Sequence, residues 1–106
     1  MVILVSNAPA GRELGLDGAV VLVTGGVRGI GAGIARVFLR QGATVVVCAR
    51  RAPANVVEAD GAVAEFVAAD VREPEQVEAL IAGIVERHGR LDVLVNNAGG
   101  APFSDA

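Results

Sequence analysis

The segment TGGVRGIG, at residues 24–31, constrains the fold more than any other part of this chain. It follows AVVLVT at residues 19–24, a short apolar run that is typical of a strand buried on both faces. It precedes a helical pattern at residues 30–41, in which four apolar side chains share one face: Ile30, Ile34, Val37 and Phe38. A strand that enters a helix through glycines directs backbone N–H groups, and the positive end of the helix, at the loop. The segment therefore predicts a site for a phosphate or pyrophosphate group.

Three glycines of this loop, Gly25, Gly29 and Gly31, have the spacing G-x-x-x-G-x-G. Glycine permits a tight turn, a close approach of a ligand to the backbone, and close packing of a helix on a strand. Because ordinary turns also use glycine, a loop that serves packing alone is the alternative. The position between a buried strand and an amphipathic helix favours nucleotide binding.

Three further strands follow from short runs rich in β-branched and other apolar residues. Residues 44–49, TVVVCA, predict a second buried strand, and residues 64–69 predict a weaker third strand. LDVLVNNAG at residues 91–99 predicts a fourth buried strand that runs into a loop. Because aromatic residues make up only 3% of the chain, the core must be aliphatic.

The remaining segments are a helix, a connection and an N-terminal arm. Pro74 suits the first turn of a helix, whose apolar residues then recur at helical spacing until Gly89 ends it. Residues 50–63 connect the second and third strands, with a short helix expected at residues 55–59. Residues 1–16 predict an irregular arm, because Asn, Pro and Gly interrupt every pattern there.

Strands that alternate with helices predict an α/β fold with a parallel sheet of about four strands. Right-handed crossovers give the strand order 3-2-1-4. The first helix and the connection are expected to cover one face of the sheet, and the second helix the other. The fourth strand would then be an open edge, through which the chain could form homo-oligomers or aggregate.

Composition and charge exclude several classes of protein. A formal net charge of −3 disfavours nucleic acid as a partner, because phosphate backbones require a basic surface. No apolar run approaches the roughly 18 residues of a membrane span. The single cysteine, Cys48, leaves no internal disulfide to form. Together these features predict a cytoplasmic protein.

Three motifs, in chain order, resemble the short-chain dehydrogenase/reductase family. TGGVRGIG resembles its TGxxxGxG pattern, Asp70-Val71 resembles its adenine-contacting position, and NNAG at residues 96–99 resembles the motif that ends its fourth strand. The resemblance, which runs from about Leu16 to Gly99, implies the N-terminal half of a Rossmann-type NAD(P)-binding domain over residues 17–106. A nicotinamide dinucleotide would lie across the carboxyl ends of the strands, where open α/β sheets bind ligands. The candidate cofactor-binding residues on these motifs are Gly25, Val27, Arg28, Gly29, Ile30, Gly31, Asp70, Val71, Asn97, Ala98 and Gly99.

The segment after the second strand predicts NADP in preference to NAD. Domains that prefer NAD usually carry an acid about 20 residues after the glycines, where it binds the ribose hydroxyls. No acid occurs between Gly25 and Val57, and Arg50 and Arg51 follow the second strand. A guanidinium suits a 2′-phosphate, and Arg28 in the glycine loop is a further basic candidate. The alternative is that Arg50 and Arg51 are a solvated loop pair.

Several polar residues have a structural interpretation beside the functional one. Asp70 could accept a hydrogen bond from an adenine amino group, or could be a turn acid before the second helix. The amides of Asn96 and Asn97 could bind backbone groups around the cofactor and tie strands together, or belong to an Asn-rich turn. His88 fits the last turn of a helix, where a cation is favourable, and Cys48 is expected to be a small core residue.

The chain contains no tyrosine and no lysine. The family resemblance implies catalysis by a Tyr acid/base, a Lys that lowers its pKa and a Ser that orients the carbonyl, all beyond the NNAG segment. We therefore expect this chain to be the cofactor-binding part of an oxidoreductase, inactive alone, with no catalytic residue of its own. The alternative is a stand-alone, non-catalytic dinucleotide-binding module or pairing subunit.

Overall fold

The computed structural model describes residues 2–4 and 16–97 of the chain. The strands in this part are β1 (Val2–Leu4), β2 (Val20–Thr24), β3 (Thr44–Ala49), β4 (Glu58–Ala59), β5 (Ala62–Val63), β6 (Glu65–Ala68) and β7 (Val93–Asn96). The helices are α1 (Gly29–Arg40) and α2 (Pro74–His88). The four strands and two helices that the sequence predicts are confirmed as β2, α1, β3, β6, α2 and β7, with ends that shift by one or two residues.

Four parallel strands form the centre of the main sheet, in the order β6-β3-β2-β7. In chain order this is the predicted arrangement 3-2-1-4, and it confirms a Rossmann-type α/β fold. The register places Thr24 opposite Cys48 on one side and opposite Asn96 on the other. The carboxyl ends of three neighbouring strands therefore lie side by side, beneath the glycine loop.

Helices or loops cover both faces of the sheet, so every residue of β2 is buried. Because side chains alternate along a strand, Val21 and Val23 pack in the cluster that contains α1 and the 50–63 connection. Val20 and Leu22 pack in the opposite cluster, which contains Leu80 of α2. The predicted assignment of helices to faces is confirmed, and the continuous apolar run of β2 reflects burial on both sides.

The predicted apolar face of α1 is only partly correct. Ile34 and Phe38 pack against the core, but Ile30 and Val37 are 77% and 53% exposed. The helix instead buries its small residues together with one leucine: Gly31, Ala32, Ala35 and Leu39. Even a Cβ atom at Gly31 would overlap the carbonyl oxygen of Gly25, so only a glycine fits where α1 contacts the loop. The face of α1 that lies against the sheet is therefore the one with its smallest residues, and not the predicted one.

The helix expected at residues 55–59 is wrong. Val57 is buried and accepts a hydrogen bond from the N–H of Ala64, and β4 and β5 form an antiparallel hairpin there. The turn residues Asp60 and Gly61 have φ values of 52° and 86°, which an Asp-Gly pair adopts readily in a two-residue hairpin. Consecutive β-branched residues and this turn signal outweigh the helical interpretation.

The irregular arm expected over residues 1–16 is wrong at its beginning. The backbone of β1 pairs antiparallel with β7, with Val2 opposite Val95 and Leu4 opposite Val93. The outer side of β7 offers unpaired N–H and C=O groups, and an apolar segment of extended chain satisfies them. The fourth parallel strand is therefore not the edge strand that the sequence predicts, while association between copies of the chain stays a prediction.

Candidate functional site

Each glycine of the loop between β2 and α1 has a distinct physical role. Gly25 and Gly29 have φ values of 66° and 60°, a conformation that side-chain-bearing residues rarely adopt. A Cβ atom on Gly31 would overlap the carbonyl oxygen of Gly25 and lie 2.8 Å from Nδ2 of Asn97. A Cβ atom on Gly26, a residue that the sequence analysis did not single out, would lie 2.6 Å from Cγ1 of Val47. The backbone conformation at Gly25 and Gly29 and the close contacts at Gly26 and Gly31 therefore favour glycine at these four positions.

The first turn of α1 is open to an anionic ligand. Arg28 caps the helix in an extended conformation, without a side-chain hydrogen bond to the helix, and the first turn carries no acid. A Cβ atom on Gly29 would meet nothing within 4 Å, so the backbone there faces open space. Free N–H groups at a positive helix end beside an open glycine fit a pyrophosphate.

We call the open backbone at Gly29, together with the first turn of α1, the glycine cradle. The other loop residues named from the sequence are close to it in the chain. Val27 is half-buried and packs against the core, which anchors the middle of the loop. Arg28 is exposed, and Ile30 projects its side chain from the first turn with 77% exposure. An apolar side chain so exposed next to the strand ends is available to contact a bound ligand.

Thr24 and Asn97 join the carboxyl ends of β2 and β7. The hydroxyl of Thr24 accepts a hydrogen bond from the backbone N–H of Asn97 at 2.9 Å and lies 3.1 Å from Oδ1 of Asn96. The side-chain amide of Asn97 donates to the carbonyl of Gly25 at 3.3 Å. Thr24 is not among the residues predicted from the sequence, although a hydroxyl at the end of a buried apolar strand is a visible signal. Ala98 and Gly99 lie outside the described residues.

An open cavity of about 260 Å³ lies at the carboxyl ends of β3 and β6. Its lining residues are Arg50, Ala68, Ala69, Asp70 and Gln76. The structure thus brings together two residues predicted from separate motifs, Arg50 and Asp70. Arg51 is exposed and does not line this cavity. Val71 is half-buried and packs against the core cluster that contains Leu80 of α2.

Gln76 is a lining residue that the sequence analysis missed. Its Oε1 accepts a hydrogen bond from the backbone N–H of Asp70 at 2.8 Å. Gln76 is the third residue of α2, and a glutamine at that position commonly reaches back to the chain before the helix. This capping pattern is the signal that could have found it, and the hydrogen bond fixes the turn that carries Asp70.

The carboxylate of Asp70 is held by Arg72. Its Oδ1 accepts from the backbone N–H and from Nε of Arg72, both at 3.0 Å, and its Oδ2 accepts from Nη2 at 2.9 Å. These hydrogen bonds lower the pKa of Asp70 to about 2, with a smaller contribution from the positive charge of Arg50. Asp70 is therefore a charged acceptor at any physiological pH.

Two residues that could be mistaken for catalytic groups have structural surroundings. Burial raises the pKa of the Cys48 thiol, and this side chain packs in the core as predicted. His88, in the last turn of α2, pairs with Glu65 of β6 at 2.9 Å. No group of three His, Cys, Asp or Glu residues in the described ranges could hold a metal ion. Neither α1 nor α2 is long and apolar enough to cross a bilayer.

Comparison with known proteins assigns this arrangement to a family. The family model of the short chain dehydrogenases matches residues 19–106. The chain belongs to the short-chain dehydrogenase family. It is 52% identical over 88 residues to L-fucose dehydrogenase of Oryctolagus cuniculus, an alignment that covers 80% of this chain and 30% of that protein.

Solved structures also resemble most of this chain. A metagenomic short-chain oxidoreductase in complex with NADP has a TM-score of 0.68 and 41% identity, over 79% of this chain and 40% of that one. The NADH-dependent reductase A1-R′, complexed with NAD, has a TM-score of 0.68 and 30% identity, over 77% and 36%. This chain therefore spans well under half the length of the relatives that it matches.

Proposed function

We propose that this short-chain dehydrogenase chain forms the NADP(H)-binding part of an oxidoreductase. The proposed reaction is hydride transfer between the nicotinamide and a carbonyl or alcohol substrate. The observation that carries the proposal is the glycine cradle at the start of α1, together with a cavity that Arg50 and Asp70 line at the carboxyl ends of β3 and β6. Phosphate-directed N–H groups and a guanidinium at the carboxyl ends of parallel strands suit a dinucleotide with an additional phosphate.

Different residues of this chain suit different parts of the proposed cofactor. The open backbone at Gly29 and the first turn of α1 suit the pyrophosphate, and the exposed Ile30 suits the nicotinamide-ribose side. The cavity with Asp70 suits the adenine, whose amino group is a donor for a charged carboxylate. When bound, the cofactor supplies the hydride.

The charges around the cavity favour NADP over NAD. Arg50 follows β3 at the position where an acid would bind the ribose hydroxyls of NAD. A guanidinium there suits a 2′-phosphate, which it would bind through charge-assisted hydrogen bonds. Two further exposed arginines are Arg28, immediately before α1, and Arg51, shortly after β3. Solved structures that match this fold are complexed with NADP or with NAD, so the fold alone does not set the preference, and these arginines are the support for NADP.

The test is calorimetric titration of the full chain with NADPH and NADH. We expect NADPH to bind about tenfold to several-hundredfold more tightly, because each charge-assisted hydrogen bond contributes about 1.5 to 3 kcal/mol before exposure reduces it. The variant Arg50→Gln should lose most of this preference. Arg40→Gln, at a 52%-exposed arginine paired with Asp60, is the matched control and should keep it. Equal affinities in the unmodified chain would contradict the proposal.

A pH series separates the phosphate from the adenine contact. A phosphate monoester gains a proton near pH 6, so NADPH affinity should fall as the pH drops from about 7.5 to about 5. Asp70, with a pKa of about 2, stays ionised over that range, and NADH affinity should change less. Parallel pH curves for the two cofactors would argue against a 2′-phosphate contact.

Gly29→Val is expected to abolish dinucleotide binding while the chain stays folded. The φ of 60° strains a β-branched side chain by about 1 to 3 kcal/mol, and the side chain would occupy the open space before α1. Gly61→Val is the matched control, because Gly61 has a φ of 86°, equally open surroundings and a position in the β4–β5 hairpin. Circular dichroism should show both variants folded. Normal NADPH binding by Gly29→Val would show that the cradle lies elsewhere.

A second candidate function is a non-catalytic dinucleotide-binding module. None of these 106 residues is a tyrosine or a lysine, so the acid/base pair that the family resemblance implies has no counterpart among them. Both candidates bind NADPH, and they differ in turnover. The chain alone should oxidise no NADPH with a panel of ketones and aldehydes. Turnover that appears when a longer translation product is used would favour the oxidoreductase.

A further inference from the structure

Asp70 and Arg50 line one cavity but do not pair with each other. Among the described residues, Arg50 is exposed and forms no ion pair. Opposite charges that share an open cavity ordinarily attract, and Arg50 does influence the ionisation of Asp70. Some other contact must therefore keep the Asp70 carboxylate from pairing with the Arg50 guanidinium.

Arg72 supplies that contact. Its guanidinium donates hydrogen bonds to both oxygens of the Asp70 carboxylate, and its backbone N–H donates to Oδ1 as well. Three of the roughly four acceptor positions of the carboxylate are thus filled within the turn that carries it. The Asp70 side chain is only 20% exposed, whereas Arg72 is 69% exposed on the solvent side. One acceptor position, on Oδ2, is left over.

We propose that Arg72 is a positioning residue that sets cofactor preference. By pairing with the Asp70 carboxylate, Arg72 prevents an ion pair between Asp70 and Arg50, so Arg50 stays available to bind a 2′-phosphate. The last acceptor position of Asp70 then accepts a hydrogen bond from the adenine amino group. The inference rests on the proposed function. Arg72 need not touch the phosphate, because it acts through the carboxylate that it holds.

The pair's geometry predicts what happens without the Arg72 side chain. In Arg72→Ala the backbone N–H at residue 72 still binds Oδ1, so the turn is retained. Oδ2 loses its guanidinium partner and can recruit Arg50, which must then break an ion pair before it binds phosphate. The variant should therefore bind a 2′-phosphorylated ligand more weakly and its unphosphorylated counterpart almost as before.

The experiment is a double-mutant cycle on the full chain with two probes that differ only in the 2′-phosphate, 2′,5′-ADP and 5′-AMP. The affinity ratio of the probes should fall by about fivefold or more in Arg72→Ala, a size typical of one competing ion pair. In the Asp70→Asn background, where no carboxylate competes for Arg50, the same substitution should change the ratio by less than about twofold. Arg87→Ala, at a 44%-exposed arginine paired with Glu65, is the control.

Each alternative gives a different result. A ratio near one in the unmodified chain would contradict the proposed NADP preference itself. A clear preference that persists in Arg72→Ala would overturn the role of Arg72 alone. A loss of equal size in both backgrounds would show that Arg72 acts as one more cation near the phosphate, and not through Asp70. A purely structural role would weaken both probes together and leave their ratio unchanged.

Discussion

Replacing Gly31 with alanine is expected to abolish dinucleotide binding and to lower the free energy of unfolding by about 1 to 3 kcal/mol. The added Cβ atom would overlap the carbonyl oxygen of Gly25 and crowd the side-chain amide of Asn97. Neither group can move aside easily. The N–H of Gly25 donates to the carbonyl of Cys48 at 2.8 Å, and Asn97 is bound to Thr24. The overlap must therefore displace α1 from the loop, and the cradle loses its shape.

Gly33→Ala is the matched control for this prediction. Gly33 lies on the same helix, is exposed, and has no atom within 4 Å of where its Cβ would lie. Alanine there should raise stability by about 0.5 to 1 kcal/mol and leave binding intact, because it only removes the flexibility of a helical glycine. Urea denaturation and NADPH titration of both variants provide the comparison. Wild-type behaviour of Gly31→Ala would mean that the helix and loop are not in close contact.

The strand order could be predicted because local sequence patterns determine it, and the same patterns place the candidate site at one edge of the sheet. The apolar run that ends in Thr24 is typical of a strand covered on both faces, and a helix that follows it through glycines begins at the carboxyl edge of the sheet. Right-handed crossovers then leave little choice in the order of the strands. Arg50 and Asp70 follow neighbouring strands, so their convergence in one cavity follows from the topology.

Side-chain partners could not be predicted in the same way. The rotation of α1 depends on the contact between Gly31 and Gly25, which periodicity cannot reveal when the helix buries alanines and leaves Ile30 exposed. The hydrogen bonds from Arg72 to the Asp70 carboxylate depend on the conformation of the turn that contains both residues. The same residues fit several turn conformations, so the sequence does not predict these bonds. Such contacts are fixed by tertiary packing and not by local spacing.

Asp92 shows the same limit most clearly, because the apolar pattern of LDVLV conceals a buried charge. The residue is 0% exposed and lies immediately before β7. Its Oδ2 accepts hydrogen bonds from the backbone N–H of Val20 at 2.8 Å and from Nε of Arg90 at 2.7 Å. Its Oδ1 accepts from Nη2 of Arg90 at 2.8 Å, and its own N–H donates to the carbonyl of Val20. This carboxylate raises the pKa of Arg90 and ties the beginning of β7 to the beginning of β2.

Asp92→Ala is expected to lower the free energy of unfolding by about 2 to 4 kcal/mol, out of a total of about 5 to 15 for an ordinary domain. The loss arises because the buried N–H of Val20 loses its charged acceptor and a cavity forms beside it. Arg90, whose side chain is 40% exposed, can turn to solvent and adds less. Urea denaturation should show a lower midpoint with an unchanged slope.

Two companion variants separate the contributions to that loss. Asp92→Asn keeps an oxygen for the N–H of Val20 but weakens the pairing with Arg90, so it should cost roughly half as much as alanine. Arg90→Ala leaves a buried, charged Asp92 without its guanidinium and should cost at least as much as Asp92→Asn. NADPH affinity, measured well below each unfolding midpoint, should stay near that of the unmodified chain, because Asp92 lies at the opposite end of β7 from the glycine loop. A loss below about 0.5 kcal/mol in Asp92→Ala would show that the junction of β2 and β7 does not depend on this carboxylate.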